Sequence, residues 1–181
     1  MTCIVGIVDR KTNNVVIGGD SAGVINLDVT ARKDEKVFEN GNFIFGCAGS
    51  FRMMQLLRYS FTPPEKPNIP TYKYMTTDFI DGIRKTFKKG GYLKKWSDGE
   101  EKGGVFLVGY ENRLFKIDTD FQVIETLRGY DACGCGELYA LASVFNSKKT
   151  NSKNIVLEAL KTAEYFSGGV VAPFNFVETG P

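Results

Sequence analysis

The chain has 181 residues, a formal net charge of +2 and no histidine. Its length predicts a single domain, residues 1–181, with a core large enough to need no covalent cross-links. The small net charge predicts no nucleic-acid or membrane partner. The lack of histidine excludes Ser-His-Asp and Cys-His catalysis and His-based zinc sites. If the chain is an enzyme, its base must be a carboxylate, a lysine or the terminal amine.

The cysteines do not have the spacing of a disulfide framework, which favours a reduced, cytoplasmic setting. Cys133 and Cys135 would form half of a metal site only with a second pair, so no metal or cofactor is expected. The lysine-rich stretch from Lys85 to Lys102 also contains Asp98, Glu100 and Glu101, which predicts a solvated surface rather than a phosphate-binding stripe. No apolar run approaches the ~20 residues of a membrane span, and the first residues lack the basic region of a signal peptide.

The first half of the chain predicts two strand hairpins and then two helices. The predicted strands are residues 2–8, 15–20, 36–39 and 42–48. Asn40-Gly41 between the last two strands is a strong turn signal. Apolar residues at helical spacing after Ser50 predict a helix to about Tyr59. Residues 61–71 hold four of the six prolines and predict a loop, and Thr77-Asp78 is expected to cap a helix ending near Lys89.

The second half repeats this order after a turn-rich surface connection at residues 90–104. The predicted elements are strands at 104–110, 113–118 and 122–127, a helix opened by Gly136, a helix capped by Ser152, and a strand at 170–178. Grouped strands and grouped helices favour α+β layers over a parallel sheet.

Thr2 carries the most interesting chemistry, if Met1 is removed. It would then present a hydroxyl and a free α-amine on one residue. The α-amine has a reference pKa of about 7.7–8.0, so it can accept the hydroxyl proton without a histidine. Thr2 by itself is more simply a β-prone residue in an N-terminal strand, and only the residues around it favour a catalytic role. The strand ending in Gly18-Gly19-Asp20 brings an acid back toward Thr2.

Several segments in the right order resemble the N-terminal nucleophile hydrolases, specifically proteasome β subunits and HslV-type peptidases. The matching segments are TCIVG, VVIGGD, KVF, FGCAGS, FLVGYENRLFKIDTDFQVIE, GCGELYALASVF and AEYFSGG. The resemblance covers most of the chain, apart from the proline loop and the region around Trp96. It implies a four-layer αββα sandwich of two antiparallel sheets flanked by helices.

The resemblance also implies site residues. Thr2 would be the nucleophile, Lys36 would favour its alkoxide, and Asp20 would hold Lys36 charged. The Gly46 N–H would stabilise the oxyanion. The residues expected to support the terminal amine are Cys135, Glu164 and Ser167.

Two of these residues depart from the family pattern. Cys135 stands where the family has a serine, and a thiol is a weaker hydrogen-bonding group. Glu164 stands in place of an aspartate and is also compatible with an ordinary solvated acid. The pair Asp20–Lys36 is also compatible with a simple core ion pair.

The resemblance implies a threonine peptidase in a homo-oligomeric ring, acting on peptides or unfolded proteins, with an ATP-dependent unfoldase as a possible partner. Two alternatives stay open. One is a catalytically silent ring or structural component that retains Met1. The other is an amidohydrolase acting on a small amide without a ring.

Overall fold

The structure is a computed structural model that describes residues 1–26, 28–96, 99–101 and 103–180. Its strands are β1 (Cys3–Val8), β2 (Val15–Gly19), β3 (Ala22–Ile25), β4 (Asp28–Ala31), β5 (Val37–Asn40), β6 (Phe43–Ala48), β7 (Lys94–Trp96), β8 (Gly99–Glu101), β9 (Val105–Tyr110), β10 (Arg113–Ile117), β11 (Val123–Ile124), β12 (Tyr130–Gly134) and β13 (Asn175–Glu178). Its helices are α1 (Phe51–Tyr59), α2 (Thr71–Tyr74), a π-helical segment (Met75–Phe79), α3 (Ile80–Lys89), α4 (Glu137–Asn146) and α5 (Ser152–Phe166).

Two antiparallel sheets form the centre of the fold. Among the described residues one sheet has the strand order β12-β1-β2-β13 and the other β11-β10-β9-β6-β5. Side chains alternate along each strand, so one face of β1 and β2 points to the facing sheet. Ile4 and Ile17 lie in that layer, together with Val37, Ile44 and Leu107 from the other sheet. The two sheets therefore pack face to face through an aliphatic core.

Helices cover both outer faces. The outer face of the five-stranded sheet packs against α1, α2 and α3 through a core rich in Phe and Tyr. The outer face of the four-stranded sheet packs against α4 and α5 through a core of smaller side chains, including Ala140, Ala159 and Ala163. The predicted four-layer αββα sandwich is confirmed. No helix in the described ranges is long and apolar enough to cross a membrane.

The first half of the chain follows the predicted order with one shift. Ser50 caps α1 by accepting a hydrogen bond from Met53 N at 3.2 Å. The hairpin of β5 and β6 is present, but Asn40 pairs with Phe43, so the turn residues are Gly41 and Asn42. Gly41 has φ +60°, which glycine adopts without strain. The Asn40 amide instead donates to Leu57 O and Phe61 O.

Two predictions in this half are corrected. The helical run expected from Thr77 begins at Thr71, directly after Pro70. Thr77 Oγ1 donates to Lys73 O at 2.7 Å, so Thr77 lies inside the helical run and does not cap it. The segment between β2 and β5, for which the sequence predicts no strand, contains the short hairpin of β3 and β4.

The second half differs mainly before α4. The predicted strands β9 and β10 are confirmed, and their turn residues Glu111 and Asn112 both have positive φ. The strand expected at 122–127 is reduced to β11, and β12 was not predicted. Gly136 precedes α4 as expected, whereas Asn151 rather than Ser152 caps α5.

The remaining two predictions concern shorter segments. The last strand is limited to β13. The described part of segment 90–104 includes the hairpin of β7 and β8. Residues 97, 98 and 102 of that segment lie outside the described residues.

Candidate active site

Three polar residues meet at one edge of the sandwich because each lies at the end of a strand. Thr2 precedes β1, Asp20 follows β2, and Lys36 precedes β5 in the facing sheet. The antiparallel pairing of β1 with β2 returns Asp20 to the start of β1, where its N–H donates to Cys3 O at 3.3 Å. The same edge of both sheets thus supplies the cluster.

Lys36 joins the other two residues. Its Nζ donates to Thr2 Oγ1 at 2.8 Å and to Asp20 Oδ1 at 2.9 Å. All three side chains are buried: Lys36 is 2% exposed, Thr2 4% and Asp20 0%. A buried lysine and carboxylate of this kind are costly unless paired and hydrogen-bonded. Here each charge has the other as its partner.

The Asp20 carboxylate is held by the backbone as well. Oδ1 accepts from Cys3 N at 2.9 Å, and Oδ2 accepts from Ala22 N at 2.9 Å and from Val171 N at 3.4 Å. These donors belong to β1, β3 and the segment after α5. They fix the carboxylate whether or not Lys36 is present, so Asp20 can orient the ammonium.

Burial affects the titration of two groups in this cluster. It lowers the pKa of Lys36, and the neighbouring Asp20 carboxylate acts in the opposite direction. Burial, with a further contribution from Asp20, raises the pKa of the Cys3 thiol to about 12. Cys3 therefore stays a neutral thiol at physiological pH and is a poor nucleophile.

Cys135 contacts the backbone of Thr2, and Ser167 contacts Cys135; their support of a terminal amine stays a prediction. Thr2 N donates to Cys135 Sγ at 3.2 Å, and Cys135 Sγ lies 3.3 Å from Ser167 Oγ. The thiol also donates to Thr2 O at 3.4 Å. A short chain of polar groups therefore leads from Thr2 N to the end of α5.

Glu164 makes a different contact from the one expected. Its Oε1 accepts from Ala172 N at 2.8 Å, so it anchors the segment between α5 and β13. The same segment carries Val171, whose N–H donates to Asp20. Glu164 therefore supports the cluster indirectly.

Gly46, the predicted oxyanion donor, does not lie in the cluster's cavity. It lies within β6, paired with Val37 on one side and Leu107 on the other. A Cβ at this position would lie 2.5 Å from Ile4 Cγ2 and 2.6 Å from Ile17 Cγ2. The absence of a side chain at Gly46 therefore lets the two sheets approach each other, and the predicted role is corrected.

Gly49 occupies the place expected of Gly46. It lines a cavity of about 100 Å³ that also contacts Thr2, Lys36, Phe51 and Met54. It has φ +99°, where a side chain would be strained, and it follows β6 directly. The signal in the sequence is the position of Gly49 between the end of a strand and the helix cap Ser50.

Met1 lies at the mouth of this cavity and is 56% exposed. Thr2 Oγ1 donates to Met1 O in a short hydrogen bond. A Cβ on Gly169 would lie 2.1 Å from Met1 Cβ, so this glycine makes room for Met1. While Met1 is attached, Thr2 N is an amide and has no basic lone pair.

Within residues 1–26, 28–96, 99–101 and 103–180, no group of three or more Cys, Asp or Glu residues is placed to bind a metal ion. The arrangement instead combines a hydroxyl, a buried ammonium and a fixed carboxylate.

Comparison with solved structures identifies the fold. BPH from Thiobacillus denitrificans, in a structure with epoxomicin, has a TM-score of 0.82 at 17% identity, covering 99% of this chain and 100% of the other. HslV from Trypanosoma brucei has a TM-score of 0.67 at 18% identity, with 98% of each chain covered. A Gly-1 mutant of Anbu from Hyphomicrobium sp. strain MC1 has a TM-score of 0.66 at 16% identity, covering 98% and 80%.

No model of a protein family matches the sequence, and no curated protein matches it. At these identities the solved structures establish the fold and nothing finer. The chain has the αββα fold of the proteasome-type N-terminal nucleophile hydrolases.

Proposed function

We propose that the protein is a proteasome-like threonine peptidase whose nucleophile is Thr2, exposed by removal of Met1. The observation that carries the proposal is the position of the Lys36 ammonium, 2.8 Å from Thr2 Oγ1 and 2.9 Å from Asp20 Oδ1 in a buried cluster. A core ion pair needs no hydroxyl partner. Here the hydroxyl is on the residue that would become the N-terminus.

In the proposed reaction, Thr2 Oγ attacks the carbonyl carbon of a peptide bond. The Thr2 amine accepts the hydroxyl proton and later donates a proton to the leaving amine. The resulting ester between Thr2 and the acyl half of the substrate is then hydrolysed by water. The positive charge on Lys36 favours the alkoxide form of Thr2, and Cys135 and Ser167 hold the nitrogen that acts as base.

The negative charge on the attacked carbonyl oxygen needs a donor. We assign this role to the backbone N–H of Gly49, which lines the cavity beside Thr2. A glycine here lets the substrate carbonyl approach the backbone closely. Removal of such a donor typically lowers the rate by about 10²–10³.

Replacement of Thr2 tests the proposal. Thr2→Ala is expected to lower the hydrolysis of fluorogenic peptides at least about 10³-fold, while urea unfolding shows that the variant is still folded. Thr119→Ala, at an exposed threonine in a turn, is the matched control and should keep full activity. Equal turnover in Thr2→Ala and the wild type would exclude Thr2 as the nucleophile.

Intact mass separates the peptidase from a silent relative. Loss of Met1 in active material supports the mechanism, because only then does Thr2 carry an amine. Full retention of Met1 in the natural protein favours a structural component with the same fold.

An apolar outer face on α4 and α5 supports assembly with further copies of this chain. Leu138 is 78% exposed, Phe145 74%, Tyr165 83% and Phe166 60%. Between Leu138 and Asn146, α4 has no charged residue. A helix that is apolar on both faces is normally buried on both faces.

Solution mass tests this part of the proposal. Leu138→Asp should shift the protein from a homo-oligomer toward the monomer in sedimentation experiments. Val29→Asp, at a half-exposed apolar residue of β4, is the control. A monomeric wild type that hydrolyses small amides would favour the alternative, an amidohydrolase without a ring.

A further inference from the structure

A second cavity lies at the opposite end of β1 from Thr2. Its volume is about 610 Å³, and it is bounded by the turn between β1 and β2, the residues leading into β12, and the connection between α4 and α5. Ile7 and Val8 line it. At ~3.3 Å per residue along the strand, Ile7 lies about 17 Å and Val8 about 20 Å from Thr2. It is therefore separate from the candidate active site.

The inner wall of this cavity is apolar. It is formed by half-buried or buried side chains of two sheet strands and two helices: Ile7, Val8, Tyr130, Val144 and Ile155. Cavities of about 300–1,000 Å³ with apolar walls are the usual size of small-molecule sites. The apolar part of a small-molecule ligand can pack on this wall.

Cations surround the opening. Arg10, Lys11 and Arg128 are exposed and line the cavity. In the described part of the chain, none of these three has a carboxylate within ion-pair distance. Lys149 also lines the cavity, but its Nζ is paired with Glu158 at 2.5 Å. Three positive charges are therefore available to a ligand.

The carboxylate in the lining, that of Asp9, is already occupied. Its Oδ1 accepts from Lys11 N at 2.8 Å and Thr12 N at 3.1 Å, and its Oδ2 accepts from Ser152 Oγ at 2.6 Å. These bonds hold the turn to the start of α5. These donors are neutral and Asp9 keeps its negative charge, but the three rim cations outnumber it and give the lining an excess of positive charge.

We propose that this cavity binds a small organic anion with an apolar body, of the class of aliphatic or aromatic carboxylates. The carboxylate would contact Arg10, Lys11 and Arg128, and the apolar body would pack on Tyr130 and Ile155. A neutral apolar ligand would leave the rim cations unmatched, and a purely polar anion would leave the apolar wall in water. The proposal does not depend on peptidase activity.

Fluorescence titration of the full chain with anilinonaphthalene sulfonate, displaced by octanoate, tests the proposal. Octanoate should displace the dye at a concentration at least about tenfold lower than 1-octanol does, because only the carboxylate matches the rim. The triple variant Arg10→Ala, Lys11→Ala, Arg128→Ala should weaken octanoate binding about tenfold. The matched control is Lys73→Ala, Lys88→Ala, Lys89→Ala, which removes equal charge from exposed positions of the other helical layer and should bind as the wild type.

A second variant fills the cavity without touching the charges. Thr150→Trp places a large ring at an exposed position of the lining and should also lower octanoate affinity. Equal octanoate affinity in the wild type and the triple variant would overturn the proposal, and so would equal displacement by octanol. A triple variant with unchanged octanoate binding but altered sedimentation would show that this face is an interface between copies.

Discussion

The charged residues near the two ends of β1 lie in opposite environments. At its start, Lys36 and Asp20 are buried and paired, and Lys36 donates a hydrogen bond to Thr2. Beyond its other end, Arg10 and Lys11 are exposed and, among the described residues, without carboxylate partners. Buried charges persist only when every partner is in place, whereas exposed cations stay hydrated. Substitutions of the charged residues should therefore affect folding and chemistry at the first end and only ligand binding at the second.

Asp20→Asn is expected to have the largest effect. It leaves the Lys36 ammonium buried without its counter-charge and turns an amide N–H toward donors such as Ala22 N. The free energy of unfolding should fall by about 3 kcal/mol, and peptide hydrolysis should be lost. Urea unfolding at pH 7 measures the first effect. A change below about 1 kcal/mol would show that the charge pair is not part of the folded state's stability.

Lys36→Met should abolish hydrolysis but destabilise the protein less than Asp20→Asn does. Asp20 would still accept hydrogen bonds from the backbone amides of Cys3, Ala22 and Val171. The methionine side chain also fills the volume that the aliphatic part of the Lys36 side chain occupies. Parallel urea unfolding of both variants gives the comparison. If Lys36→Met proves the less stable variant, the backbone donors do not satisfy the carboxylate as inferred.

Cys135→Ser is expected to leave hydrolysis unchanged or to increase it. A hydroxyl is a stronger hydrogen-bonding group than a thiol, and it would occupy the position next to Thr2 N and Ser167 Oγ. Peptide turnover at saturating substrate measures the effect. A strong loss of turnover would mean that the thiol itself takes part in the reaction.

Ser152→Ala is expected to have the smallest effect, a slight loss of folded-state stability at neutral pH that disappears in acid. The hydrogen bond from Ser152, with those from Lys11 N and Thr12 N, lowers the pKa of Asp9 to about 2. Since the unfolded-state pKa of aspartate is about 3.9, the bond stabilises the folded state above about pH 4, and this contribution is lost as pH falls toward about 2.

Thermal unfolding of the wild type and Ser152→Ala between pH 7 and pH 2 tests this dependence. The difference in unfolding temperature should be largest near neutrality and shrink on acidification. A difference that grows toward low pH would contradict the assigned cause. Ser147→Ala, at another serine of the cavity lining, is the control.

The strands and helices with regular apolar spacing could be predicted from sequence. The paired strands β1 and β2, the capped helix α1 and the hairpin of β9 and β10 carry such signals over several residues. The strand β12 carries none, because Asp131 interrupts its apolar residues. Asp131 is tolerated there since Lys116 Nζ lies 3.7 Å from its carboxylate. That partner is distant in sequence and invisible to a local pattern.

In the candidate site, too, some features follow from local sequence patterns and others depend on distant contacts. Thr2, Asp20 and Lys36 lie at strand ends that the hairpin patterns mark, so their meeting could be expected. The choice between Gly46 and Gly49 could not be made in this way. It depends on where β6 ends and on how closely Ile4 and Ile17 of the facing sheet approach Gly46. Contacts between sheets decide the role of each glycine.

The burial of Thr2 and Cys3, directly after the exposed Met1, has a practical consequence for protein engineering. β1 lies between β12 and β2 inside its sheet, and Met1 packs on Gly169 at the cavity mouth. An affinity tag or fluorescent reporter fused ahead of Thr2 would have to leave through that mouth and would block it. β13 is an edge strand of the same sheet, and Gly180 beyond it is exposed. Fusions placed after this strand keep the opening clear.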